Sequence, residues 1–198
     1  MAELAGPGHP DHEEGGGASE TGTGSIKTTH LDGPYGGHAH AVSSPVSILV
    51  AGGVGITPML SYLAAVRRNR SLSVAVLLIW CVRSPGLVAL VRDELIAALE
   101  DDRVRLRICM TGRQLEPLSE SRDLGDLHNV VTPGRPDFSE VTHKYLTQEI
   151  VVEPRPQGML AAVICGPTKL AASARKAILT EAKPLGWNVE VREEVFEL

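Results

Sequence analysis

With 198 residues, 43% of them apolar, and a net charge of −5, the chain suits one globular domain of ordinary size plus a polar tail. Nothing in that balance points to nucleic acid, and the longest apolar run, Val74 to Val82, falls far short of the ~20 residues that span a bilayer. Three widely spaced cysteines, Cys81, Cys109 and Cys165, each in or at the end of an apolar segment, fit reduced thiols in a cytosolic setting.

Residues 1–24 are rich in Gly, Pro, Glu and Ser and bear almost no large apolar side chain, so burial cannot offset the entropy of ordering them. They read as a disordered tail without a signal peptide, and His9 and His12 lack the companions a metal site needs. Residues 25–31 form at most a short strand. Asp32-Gly33-Pro34-Tyr35-Gly36-Gly37 then makes a rigid, reversing loop, and His38 and His40 follow among residues too small and polar to bury them. We take 25–45 as an edge-and-linker segment and 46–198 as the main domain.

That domain opens on ILVAGGVGITPML, residues 48–60. The run of apolar residues, three glycines and Thr-Pro, followed by Met59, Leu60, Tyr62, Leu63 and Val66, predicts a strand, a tight turn and an amphipathic helix. Gly52, Gly53 and Gly55 permit positive φ and a close approach of backbone N–H groups to an anion. Thr57 is expected as N-cap and Pro58 as the first helical residue, so the positive end of the helix faces the glycines, where a pyrophosphate fits. The same glycines also suit a plain βα turn, and Ile-Thr-Pro replaces the third glycine of the usual dinucleotide pattern.

Leu72 to Val82 is a continuous apolar run, which predicts a strand buried on both faces and ending at Arg83-Ser84. Leu87 to Leu99 shows helical spacing, and Val104 to Met110 alternates with Arg105 and Arg107 as a strand nearer an edge. A long polar connection over 111–136 closes with Gly134-Arg135-Pro136-Asp137-Phe138 and leads into a helix over about 140–150. Met159 to Cys165 is a further buried strand ending in Cys165-Gly166-Pro167. A helix over about 168–183 and an alternating strand over 187–198, carrying Phe196, complete the chain. Such alternation predicts an α/β fold: a doubly wound, mostly parallel sheet with helices on both faces and a ligand beyond the carboxyl ends of its strands.

Arg83 stands where an NAD-type site usually offers a carboxylate to the ribose, so the charge there favours a 2′-phosphate. A charge-assisted Arg–phosphate hydrogen bond contributes about 1.5–3 kcal/mol, or about 10- to 150-fold in preference for NADPH.

LDGPYGG at 31–37, ILVAGGVGITPML at 48–60, LIWCVRS at 78–84, GRPDF at 134–138, ICGPTKLA at 164–171 and the terminal EEVFEL resemble the NADPH-binding half of the ferric reductase and NADPH oxidase group, within the ferredoxin-reductase superfamily. The resemblance implies that Gly52 to Pro58 bind the pyrophosphate and that Arg83, with Arg135, holds the adenosine phosphate. It implies that Cys165, Gly166 and Pro167 line the nicotinamide pocket and that Phe196 supplies an aromatic ring against flavin or nicotinamide. The loop Gly33, Pro34, Tyr35, Gly36 would border both halves of the site. Members of the group pass a hydride from NADPH to FAD and then single electrons to haem or iron, facing the cytosol from a membrane.

The chain departs from that pattern upstream. None of Tyr35, Tyr62 and Tyr145 is preceded two residues earlier by arginine, as the flavin-binding Arg-x-Tyr-Ser/Thr motif requires, and the histidine-bearing membrane helices for haem are missing. We therefore expect a truncated carboxyl-terminal portion whose FAD barrel and haem domain belong to a parent or partner chain. The alternative is a binding module that holds NADP(H) without catalysis. No Gly-x-Ser-x-Gly elbow supports a hydrolase.

Overall fold

The computed structural model describes residues 44–70, 75–112, 125–150 and 159–196. In chain order the strands are β1 (Val46–Gly52), β2 (Ala75–Val82), β3 (Val104–Met110), β4 (Val131–Pro133), β5 (Met159–Pro167) and β6 (Asn188–Phe196). The helices are α1 (Ile56–Arg68), α2 (Pro85–Ala89), α3 (Arg92–Leu99), α4 (Phe138–Lys144) and α5 (Thr168–Ala182).

β1 is buried from end to end because its residues feed both sides of the sheet. Val46, Ile48 and Val50 enter one apolar layer, while Leu49 and Ala51 enter the other. Met59, Leu63 and Val66 of α1, Val88 of α2 and Leu95 of α3 cover the Leu49 side. Tyr145 and Leu146 after α4, with Ala174 and Ile178 of α5, cover the Ile48 side. This is the expected doubly wound fold, with strand order β4-β3-β2-β1-β5-β6. Every described pairing is parallel, so the carboxyl ends of all six strands share one rim.

Local deviations from the sequence expectations have physical causes. The helical pattern over 87–99 is broken into α2 and α3, because Ser84 Oγ accepts from Gly86 N at 3.2 Å and starts a helix at Pro85. Val91 then leaves helical geometry at φ −124°, ψ 19°, which lets Val88 and Leu95 both reach the core and turns Leu90 out to 77% exposure. The connection over 111–136 is not wholly irregular: a 3₁₀ segment, Gly125–Val130, and the short strand β4 lie within it. Asp137 caps α4 by accepting from Ser139 N and Glu140 N, and a π turn at Tyr145–Glu149 ends that helical segment.

Two polar contacts anchor α1. Ser47 on β1 and Tyr62 on α1 share a buried hydroxyl hydrogen bond of 2.6 Å. At the opposite rim from the strand ends, Arg103 donates to the Val66 carbonyl at 2.7 Å and forms a two-pronged ion pair with Asp101, at 2.9 and 2.7 Å. The guanidinium thus satisfies a carbonyl at the end of α1 while tying it to the start of β3.

Candidate functional site

In this strand order the chain runs outward in opposite directions from β1 and β5, so the switch point lies between them. The glycine loop after β1 and Cys165-Gly166-Pro167 at the end of β5 meet there. A Cβ added at Gly52 would come within 2.7 Å of Pro167 Cδ, and one at Gly55 would run into the Cys165 carbonyl. A Cβ added at Gly166 would in turn lie 3.1 Å from the Gly52 nitrogen.

The glycines do not all serve the purpose expected of them. Of Gly52, Gly53 and Gly55, Gly53 alone adopts positive φ, at 55°. Gly52, at φ −115°, and Gly55, at φ −61°, have backbone angles open to any residue and are small because another strand end leaves no room. The expected N-cap also shifts. Gly53–Gly55 form a 3₁₀ turn that runs directly into α1, whose cap is Gly55 and whose first residue is Ile56. Thr57 lies inside the first turn and donates its hydroxyl to the Val54 carbonyl at 3.0 Å. Pro58 occupies the third helical position, where its missing N–H leaves no intrahelical bond unmade.

The amino ends of α1 and α5 both begin at this rim, and neither has an acidic residue in its first turn or a side-chain cap. Their positive ends are therefore not neutralised by an acidic side chain, although the Ile56 N–H that opens α1 is already taken by the Gly53 and Val54 carbonyls of the 3₁₀ turn. A hollow of about 440 Å³ elsewhere, lined by Arg67, Arg68, Arg70, Glu100 and Asp101, gathers arginines at the carboxyl end of α1. The dipole there presents its negative end, and Arg67 already faces Glu100 at 4.0 Å.

Trp80 is a site residue the sequence reading did not single out. Its indole is fully buried under the loop, and Nε1 donates to the Gly53 carbonyl at 2.9 Å. The signal was available in principle, since a buried tryptophan needs an acceptor for its N–H. Trp80→Phe keeps most of the apolar volume and removes the donor. We expect a stability loss of about 1 kcal/mol and several-fold weaker nucleotide binding in a calorimetric titration. Unchanged affinity would mean that the loop keeps its shape without the bond.

Arg83 follows β2 and is exposed. Its backbone is braced from β3: Thr111 N donates to the Val82 carbonyl at 2.7 Å, and a side chain at Gly112 would strike the Arg83 carbonyl. Arg135 is also exposed, just beyond β4. β2 and β4 flank β3, which puts the two strands about 10 Å apart. The two arginines therefore project from the same side of the switch point. Cys165 is buried, and burial together with the charge of Glu194 raises its thiol pKa, so it presents a neutral sulfur. Phe196 is the register partner of Pro167 on β6, so its backbone lies beside the Cys-Gly-Pro segment. Gly33, Pro34, Tyr35 and Gly36 lie outside the described residues, as do His9, His12, His38 and His40.

A Gly-rich strand end against a second strand end, with two helix amino ends above it, defines a mononucleotide- or dinucleotide-binding α/β domain. Residues 46–179, more than half of the chain, match the family model of the ferric reductase NAD binding domain, and the chain belongs to that family. No curated protein sequence matches it.

Among solved structures it is similar to the CS-b5R domains of human Ncb5or in their NAD+ form, with 15% identity over 81% of this chain and 39% of that one and a TM-score of 0.54. A ferredoxin NADP+ reductase from Neisseria gonorrhoeae with bound FAD and NADP shows 18% identity over 78% of this chain and 58% of that one, with a TM-score of 0.51. A flavohemoglobin from Malassezia yamatoensis with bound FAD and heme shows 19% identity over 76% of this chain and 32% of that one, with a TM-score of 0.48. These likenesses are of fold, and the chain spans about a third to somewhat over half of each of these structures. Family and fold together make it an NAD(P)-binding module of the oxidoreductase kind. Among the described residues, no helix is long and apolar enough to cross a membrane.

Proposed function

We propose that residues 46–198 form the NADPH-binding domain of a ferric reductase-like oxidoreductase, which passes a hydride from NADPH to FAD and onward to haem or Fe(III). In this reading the flavin sits on an antiparallel barrel and the haem on a membrane domain, each in a parent or partner chain. NADPH supplies the hydride, and a flavin converts that two-electron delivery into single-electron steps.

The observation that carries the reading is the meeting of the glycine loop with Cys165-Gly166-Pro167 at the β1/β5 switch point, with Arg83 at the end of β2. The residues fit the ligand. The cradle at Gly52 and Gly55 is closed to any Cβ, so backbone N–H groups remain the nearest donors to a pyrophosphate. The first turns of α1 and α5 hold its negative charge, and Thr57 and Pro58 shape the entry to α1. Arg83, with Arg135, pairs with the 2′-phosphate. Cys165, Gly166 and Pro167 form the floor against which the nicotinamide lies, and the family resemblance assigns Phe196 the aromatic ring against flavin or nicotinamide. The neutral Cys165 thiol contributes contact and a weak S–H donor there, and no charge.

The test is a calorimetric titration of the chain with NADP+ and NAD+, repeated on Arg83→Ala. NADP+ should bind about 10- to 150-fold more tightly than NAD+, and Arg83→Ala should close that gap while leaving NAD+ binding nearly unchanged. Equal binding of both nucleotides by the parent chain would remove Arg83 from the phosphate site. A yellow preparation with NADPH-dependent diaphorase activity would support electron transfer. Nucleotide binding by a colourless chain, without turnover when a flavin domain is added, would leave the binding-module reading.

A further inference from the structure

Two of the three cysteines stand side by side. Cys81 and Cys109 are direct register partners on β2 and β3, and both side chains lie in the apolar layer under α4 and α5. Cys81 is 9% exposed and Cys109 3%. Thr132 on β4 donates its hydroxyl to Cys109 Sγ at 3.7 Å.

The neighbouring Cys81 thiol, the Thr132 hydroxyl and the charge of Arg107, itself paired with Glu149 at 2.6 Å, lower the Cys109 pKa. Against the opposing effect of burial they bring Cys109 to about 7, while its neighbour Cys109 and burial hold the Cys81 thiol raised and protonated. One sulfur thus has a hydroxyl donor aimed at it, and the other is a neighbouring thiol. Neither feature is needed to fill an apolar layer.

We propose that Cys81 and Cys109 are a redox-modification site, a dithiol that hydrogen peroxide converts to a reversible intramolecular disulfide beneath the strand end carrying Arg83. The Cys109 thiolate attacks one peroxide oxygen, so an S–O bond forms, the O–O bond breaks and hydroxide leaves, taking a proton to become water. The Cys81 sulfur then displaces the oxygen of the Cys109 sulfenic acid. An S–S bond forms, the S–O bond breaks, and a second water departs with the Cys81 thiol proton. The two thiols lose two electrons in all, and the peroxide is reduced to two waters.

Adjacent strands lie about 4.8 Å apart, inside the Cα window of about 4.4–6.8 Å that a disulfide tolerates. Side chains facing across a parallel pair stay near that spacing, beyond the Cβ separation of about 3.5–4.5 Å that the bond prefers. Closing it draws β2 and β3 together, so the bond is strained and a small thiol reduces it readily. Thr111 N holds the Val82 carbonyl just beyond the pair, so this adjustment falls on the segment that presents Arg83.

The test needs no nucleotide, so its result is independent of the binding reading. The full chain is treated with a small excess of hydrogen peroxide, alkylated in denaturant, digested without reductant and mapped by mass spectrometry. The expected product is a Cys81–Cys109 linked peptide, two hydrogens lighter than its two thiol peptides together and lost on dithiothreitol treatment, with Cys165 recovered alkylated. Recovery of both cysteines as alkylated thiols, oxidation of either beyond sulfenic acid without a link, or linkage chiefly to Cys165 would overturn the proposal. In Cys81→Ser, dimedone should trap sulfenic acid on Cys109 several-fold faster than on Cys165. Equal trapping would remove Cys109 as the attacking sulfur.

Discussion

Gly55→Ala is expected to weaken NADP+ binding by at least about tenfold and to destabilise the fold by about 1–3 kcal/mol, the usual cost of overpacking a closed site. The added Cβ would overlap the Cys165 carbonyl oxygen and lie 2.9 Å from its carbon and 3.1 Å from Sγ. Two of those atoms are backbone of β5, so no rotamer change relieves the contact. Either α1 moves away from the sheet with its amino end, or the Cys-Gly-Pro segment moves, and both form the proposed cradle.

Gly53→Ala separates this effect from backbone preference. Nothing lies within 4 Å of a Cβ at Gly53, whose φ is 55°. That variant should lose about 1–2 kcal/mol from the left-handed conformation alone, without displacing Cys165. Urea denaturation and nucleotide titration of both variants make the comparison. If Gly55→Ala bound NADP+ like the parent chain, contact between the two strand ends would not be what shapes the site.

The contrast between those glycines marks the limit of what the sequence disclosed. The unbroken apolar run into Gly52 made β1 and its loop legible, because two-sided burial leaves no other reading for such a strand. The convergence of Gly52 to Pro58 with Cys165 to Pro167 followed from the strand-end rule once the alternation of elements was recognised. A glycine's letter does not say whether it is required for its φ or for the space it leaves, and Gly52 and Gly55 prove to be the second case. β4 was missed because Val131-Thr132-Pro133 is too short to show a period and ends in a residue that disfavours strands.

The single helix expected over 87–99 failed at Leu90 because the apolar spacing continues through the break at Val91. The Trp80–Gly53 bond joins residues 27 apart, and the Cys81–Cys109 pair lies across two strands. Both depend on parallel register, which neither segment encodes alone. Arg103 was likewise silent, since nothing in Asp-Asp-Arg-Val-Arg announces which arginine turns inward.

That inward arginine carries the second large effect. Asp101→Asn is expected to cost about 2–3 kcal/mol near neutral pH, lowering the thermal midpoint by about 4–12 °C for a chain of this size. The Asp101 and Arg103 side chains are 7% and 12% exposed, so the variant leaves a guanidinium largely out of water without its counter-charge. The hydrogen bonds from Arg103 hold the Asp101 carboxyl below its ordinary 3.8, at about 2. A folded-state pKa depressed in this way contributes stability that is present above pH 3.8 and lost as pH falls through 2. Its size at neutral pH is about 2 kcal/mol.

Urea denaturation of the parent chain and Asp101→Asn should therefore give midpoints that are well separated at pH 7, draw together below pH 4 and nearly coincide at pH 2. A gap that persisted at pH 2 would assign the loss to hydrogen-bond geometry and not to charge. The pair lies at the rim opposite the glycine loop, where it ties the end of α1 to β3. Asp101→Asn should consequently leave NADP+ affinity within about twofold wherever the variant is folded, since distant sites with no shared partners act nearly independently. Arg83→Ala should do the reverse, altering nucleotide preference with little change in midpoint, because its side chain is exposed. The two variants together test whether the sheet keeps its stability anchor and its ligand site at opposite ends of the same strands.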